Sequence, residues 1–216
     1  MKSSLWKSSL EQFGDELASV NPVPASVCAS AVTATFALNL LCKVLGIPAQ
    51  RKGFTGDVRK MEDLLESAKT TSACVRELAD EDIAAFNSYL ESVRLPKSNE
   101  QERDQRKRAI ALSLDKVIQV PLNAARLAVS GMDLCVDAAG FVPTPLIAEV
   151  AAAASLLAGA VRGLIVSAEF NVRQLAGEPD IYNDAMTQLE DLRRKALRQE
   201  DSVRQQVASM IAVKNR

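Results

Sequence analysis

The chain has 216 residues, 48% of them hydrophobic, enough to build one domain around a sizeable core. Its 26 basic and 27 acidic residues leave a net charge of −1, so there is no overall basic field to gather nucleic acid or anionic lipid, and any anion site must be local. Histidine is absent, which excludes Ser-His-Asp and Cys-His catalysis and the usual mixed Cys/His zinc sites.

The opening Met1-Lys2-Ser3-Ser4-Leu5 lacks the apolar core and small-residue cleavage site of a signal peptide, so a cytoplasmic protein is expected. The first helix is predicted over Ser4 to Ser19, with Leu5, Leu10, Phe13 and Leu17 on one side. It ends before Asn21-Pro22-Val23-Pro24, where two prolines force extended backbone. Pro24 can serve as the first residue of helix two. That helix carries Ser26, Ala29, Ser30, Thr33, Ala34 and Ala37, small residues that let another backbone approach, so it belongs at the bundle centre or at a subunit contact. Pro24 to Ile47 is the one stretch read as long enough to span a bilayer. Its Ala, Ser and Thr content, with Asn39 and Lys43, favours a buried core helix instead.

After Gly46-Ile47-Pro48, helix three is predicted from about Asp57 to Val93, with a slip or kink near Thr70-Thr71-Ser72. Helix four starts at Ser98 or Asn99, where a capping side chain precedes Glu100 and Glu102, and Pro121 should kink it. Helix five covers roughly Pro145 to Leu175 and is dominated by alanine. Helix six covers about Ile181 to Val213 and reads as a solvated outer helix. Apolar residues recur at three and four rather than two, which predicts an all-α bundle of about six long, mostly antiparallel helices in one domain, 1–216. Cys28, Cys42, Cys74 and Cys135 form no CxxC pair and sit in apolar helical surroundings, as buried thiols in a reducing compartment do. There is no GxGxxG or GxxxxGK[ST] phosphate loop.

One block carries a more specific pattern. Glu81-Asp82, Ala85-Phe86, Leu95-Pro96-Lys97, Arg106, Ile110 and Val120-Pro121-Leu122 follow one another over about 40 residues, and Pro22-Val23-Pro24 precedes an alanine-rich helix. In this order and spacing they resemble the cyclodeaminase and methenyltetrahydrofolate cyclohydrolase family, whose pattern is PxPGGGS, then an acidic pair, AF, LPK, an arginine, an isoleucine and VPL. The resemblance implies an all-helical protein that hydrates the methenyl bridge of 5,10-methenyltetrahydrofolate or closes 5-formiminotetrahydrofolate to it with loss of ammonia. It implies Asp82 as general base or cation stabiliser, Lys97 and Arg106 as partners of the folate glutamate tail, and Ser26 against the substrate. No metal or tightly bound cofactor is implied, the tetrahydrofolate derivative being the substrate, and neither a nucleic-acid nor a membrane partner is expected.

The chain also departs from that pattern. The glycine triplet is replaced by Ala25-Ser26-Val27, and a β-branched valine cannot allow the close approach a glycine does. A glycine-asparagine followed by serine-aspartate has become Gly140-Phe141-Val142-Pro143-Thr144-Pro145-Leu146-Ile147. An NVxxN arrangement has become Ile165-Val166-Ser167-Ala168-Glu169, with Asn171-Val172 nearby. The alternative is therefore a non-catalytic paralogue whose pocket is filled by Val27, Phe141 and Ile147, or an enzyme acting on a non-folate imine or amidine. A homodimer is expected in either case, with Ala34 at the contact, so that Ala34→Trp would break it.

Overall fold

The structure is a computed structural model that describes residues 4–49, 57–173 and 179–214. Among these residues it contains six α-helices and no strand: α1 (Leu10–Ala18), α2 (Ser26–Ala49), α3 (Val58–Arg94), α4 (Glu100–Ala139), α5 (Ile147–Val172) and α6 (Pro179–Lys214). The all-α expectation is met, and the boundaries differ in instructive places. The predicted first helix is split, because Ser4 caps a short 3-10 turn at Leu5–Lys7 and Ser9 then opens α1 with a reciprocal capping box to Gln12. That turn is docked on α3: the Leu5 amide donates to Asp80 Oδ1 at 2.8 Å, and Trp6 Nε1 donates to the Arg76 carbonyl at 3.0 Å.

Pro24 does not open α2. It lies buried in the preceding loop, joined to Val23 by a cis peptide, and the helix begins at Ser26. Nor does Gly46-Ile47-Pro48 end α2, which runs on to Ala49 with Val44 and Leu45 locked in the core. The caps of α3 and α4 follow the sequence closely. Asp57 accepts from the Lys60 amide at 3.0 Å, and Asn99 accepts from the Glu102 amide at 2.8 Å. α3 is unbroken through Thr70-Thr71-Ser72. Leu175, the expected end of the fifth helix, lies outside the described residues.

α2 and α5 pack side by side, with α3 and α4 against them and α6 covering α4 and α5. The three inner helices meet at Gly131 of α4. A Cβ there would lie 2.8 Å from Leu38 Cδ2 and 3.3 Å from Leu157 Cδ1, so any larger residue would push the ends of both leucines off the helix. Ala34 is fully buried inside the protomer, which corrects its placement at a subunit contact: a tryptophan there would first disrupt the monomer core. A second helix, Thr144–Val172, is as long and apolar as the Ser26–Ile47 stretch, and about half of each apolar window is buried against the bundle. α6 is an outer helix with one buried face, at Ala185, Leu189, Ala196 and Val203. Its wet side is tied back by Lys195 to Asp133 at 2.8 Å and by Glu200 to Arg162 at 3.2 Å.

Candidate active site

Asp82 sits two-thirds of the way along α3, on the face turned to α2, and only 8% of its surface is exposed. Cys28, in the first turn of α2, is fully buried against it. Its Sγ donates to Asp82 Oδ2 at 3.5 Å and lies 3.6 Å from the Ala79 carbonyl. Burial raises the Asp82 carboxyl to about 6, and the Cys28 hydrogen bond pulls it the other way. The Cys28 thiol is pushed up to about 12, by burial first and by the Asp82 charge second, so it keeps its proton and acts as the donor. A carboxyl group that titrates near neutrality can take a proton and return it within one catalytic cycle.

Around this pair the N-terminus of α2 is fastened to the C-terminal half of α5. Ser26 and Ser167 hydroxyls are 2.8 Å apart; Ser167 donates to the Gly163 carbonyl at 3.0 Å, so the Ser26 hydroxyl is the donor between them. The helices come this close because Gly163 faces Ser30, whose Oγ would stand 2.4 Å from any Cβ there. Further along α5, Asn171 Nδ2 donates to the Val117 carbonyl of α4 at 3.0 Å. That carbonyl is the one whose helical partner would be residue 121, and Pro121 has no N–H to give. Asn171 thus satisfies the orphan acceptor that the proline creates and keeps α4 continuous across it. Asn171→Ala is expected to cost about 1–3 kcal/mol of stability. In a Pro121→Ala background, where the helix supplies its own donor, the same change should cost well under half as much, and equal costs in a urea double-mutant cycle would refute the assignment.

Two clefts flank Asp82 along α3. One, of about 450 Å³, lies between the 3-10 turn, the Asn21–Pro24 loop and Ile83 and Asn87. The other, of about 490 Å³, runs between α3 and α4, where Glu81 and Ser88 face Asp115, Lys116, Gln119 and Asn123. Lys97 and Arg106 are not beside Asp82. Lys97 is exposed in the connection after α3, and Arg106 Nε donates to the Val93 carbonyl at 3.1 Å. The 11 residues of helix from Asp82 to Val93 put the carbonyl that holds Arg106 about 16 Å away along α3, and neither cation lines the α3–α4 groove.

Phe141 and Ile147 lie in the opposite direction. Phe141 has the Lys60 ammonium 3.9 Å over its ring, near the start of α3, and Ile147 opens α5, 20 residues before the Ser167 that meets Ser26, so within one protomer neither residue fills a pocket beside Asp82. Among the described residues, no three Cys, Asp or Glu side chains converge as a metal site would require. Cys28, Ser167 and Asn171 are members of this region to which the sequence assigns no role at the site: Cys28 reads only as a buried thiol, and Ser167 and Asn171 only as part of the altered NVxxN stretch. The signal for Cys28 was its position directly after the triplet that replaces the glycines.

Residues 9–191 match the sequence model of the formiminotransferase-cyclodeaminase family. A formimidoyltransferase-cyclodeaminase of Sus scrofa is 29% identical over 129 residues, 60% of this chain and 24% of that protein. A methenyltetrahydrofolate cyclohydrolase of Methylorubrum extorquens is 25% identical over 125 residues, 58% of this chain and 60% of that protein. In three dimensions, a formiminotetrahydrofolate cyclodeaminase of Thermotoga maritima matches with a TM-score of 0.83 at 19% identity, over 95% of this chain and 98% of that one. The matched segment therefore spans about a quarter of the length of the porcine relative and somewhat more than half of the bacterial cyclohydrolase.

Proposed function

Because the chain belongs to the formiminotransferase-cyclodeaminase family, we propose that it is a folate one-carbon enzyme that adds water to the 5,10-methenyl bridge or forms that bridge with loss of ammonia. The observation that carries this reading is Asp82, a buried carboxyl raised to about 6 on the helix that forms one wall of the α3–α4 groove and whose C-terminal end holds Arg106, with Lys97 just beyond it. A folate has its reacting carbon and its glutamate carboxylates at opposite ends, so contacts this far apart suit it. The one-carbon unit would lie at Asp82, and the tail would follow the α3–α4 groove past Lys116 to the two cations.

In the hydration direction the amidinium carbon is already electrophilic. Asp82 takes a proton from water as the C–O bond forms, then returns it to the nitrogen as the C–N bond breaks. In the cyclodeamination direction the same carboxylate takes the proton of the attacking nitrogen and gives it to the departing amine as ammonia leaves. Neither direction asks for a covalent nucleophile. Ser26 holds the start of α2 in place through Ser167 and presents its exposed edge beside the site.

Calorimetry with tetrahydrofolate and 5-formyltetrahydrofolate tests the reading. Binding by the wild type should weaken by roughly two- to fivefold in Lys97→Ala, as befits an exposed cation. No binding by a well-folded wild type would sink the folate assignment.

A homodimer is part of this reading. α2 and α5 present adjacent outer stripes in which Phe36, Leu156, Val166 and Phe170 are all exposed, Phe170 to 71%, and a second copy would cover them. Phe170→Glu should sediment as a monomer; a dimer at the wild-type concentration would move the interface elsewhere.

A further inference from the structure

Cys28 and Asp82 come from different helices and meet away from water, in an arrangement that fixes one of them relative to the other. Cys28 belongs to the first turn of α2, where Ser26 is tied to Ser167 and Ser30 is seated on Gly163, so its backbone is held from both sides. Its sulfur lies over a single turn of α3, within reach of both the Ala79 carbonyl and Asp82 Oδ2. Ala79 and Asp82 are three residues apart and share a helix face, so the sulfur is a knob set between them.

On the basis of the folate reading above, we propose that Cys28 is a positioning residue for the reaction: its thiol pins the Asp82 carboxylate through Oδ2 and leaves Oδ1 to the reacting atoms. A carboxylate on a long helix otherwise rotates freely about its terminal bond, and a base used twice in one turnover needs one oxygen in one place. A thiol suits the task because it is a weak donor. It fixes the carboxylate without holding it so firmly in the charged form that the proton cannot return.

The charged and titratable groups bearing on the pair are few. From α2 there is Cys28 itself; from α3 there are Asp82 and Asp80, and Asp80 is occupied by the Leu5 amide of the N-terminal turn. With no cation among the causes that set the Asp82 titration, the thiol is the group that favours its charged form.

The test is the titration of the Asp82 side-chain carbon followed by ¹³C NMR in the whole 216-residue chain, with Asp82→Asn to assign the signal and no folate present. Cys28→Ala should move the midpoint upward by about half a unit to one unit, the size expected for one weak hydrogen bond to a charged group. Cys28→Ser, which keeps a donor on a shorter bond, should return the midpoint to the wild-type value or below. In turnover, Cys28→Ala should lower kcat with little change in KM and shift the acid limb of the rate profile by the same amount as the NMR midpoint. An Asp82 midpoint unmoved in both folded variants overturns the proposal. The NMR arm is independent of substrate, so a Cys28-dependent titration in a protein that turns over no folate would preserve the pairing while removing the folate reading.

Discussion

Asp82→Asn should lower the rate of methenyl-bridge hydration, or of cyclodeamination, by about 10²- to 10⁴-fold, the usual contribution of a positioned acid-base group. The same substitution should make the protein more stable at neutral pH. Folding carries the Asp82 carboxyl from its ordinary value of 3.8 up to about 6, so above pH 6 the folded state must keep a charge in a site that disfavours it. The unfolded chain bears that charge in water without penalty. Between the two values the folded protein holds a proton that the unfolded chain has released, so stability rises as pH falls through 6 and levels off below 4. A shift of about two units corresponds to roughly 3 kcal/mol at pH 7. Urea titrations at pH 7 and pH 5 should therefore show the wild type gaining stability on acidification and Asp82→Asn lacking that part of the gain. An asparagine variant that kept full activity would remove Asp82 from the chemistry, and one less stable than the wild type at pH 7 would refute the charge penalty.

Leu157→Ala should cost about 2–5 kcal/mol of stability. Leu157 is completely buried on α5, and both of its methyl carbons lie over Gly131 of α4 beside Leu38 of α2. Truncation leaves a void where three helices converge, and the convergence leaves little freedom to collapse around it. The effect should appear as a lower urea midpoint with an unchanged slope. A loss below 1 kcal/mol would mean that α2 and α5 can shift together over the glycine, contrary to the packing described.

The helical architecture was readable because its causes are local. Asn99 with Glu100 and Glu102, Asp57 before the third helix, and the three-and-four spacing of apolar residues each settle a boundary or a face without reference to the rest of the chain. The misreadings fell where a distant partner decides. Ser8 and Ser9 break the first helix because the turn before them is fastened to Arg76 and Asp80, some 70 residues away. Ala34 and the other small residues of α2 signal close approach, yet nothing in their spacing distinguishes a neighbour within the protomer from one outside it.

Less of the candidate site proposed here can be read locally. Asp82 could be named from the ordered block around it, and the structure buries it and raises its titration. That Cys28 supplies its donor depends on how α2 lies against α3, which no local pattern encodes. Phe141 and Ile147 were grouped with Val27 because all three replace polar or glycine positions of one family pattern. The length of α3 separates Phe141 from Asp82, and the length of α5 separates Ile147 from the Ser26–Ser167 contact.

The bond from Asn171 to the Val117 carbonyl also constrains the order in which substitutions can accumulate. A lineage that first exchanges Pro121 for a residue with an amide hydrogen regains the helical bond, after which Asn171 is free to drift. The reverse order passes through an intermediate whose part-buried Val117 carbonyl has lost its donor. The two positions, 50 residues apart in sequence, are therefore an epistatic pair. In any library that randomises both, asparagine at 171 should be enriched among survivors that keep proline at 121 and scattered among those that do not.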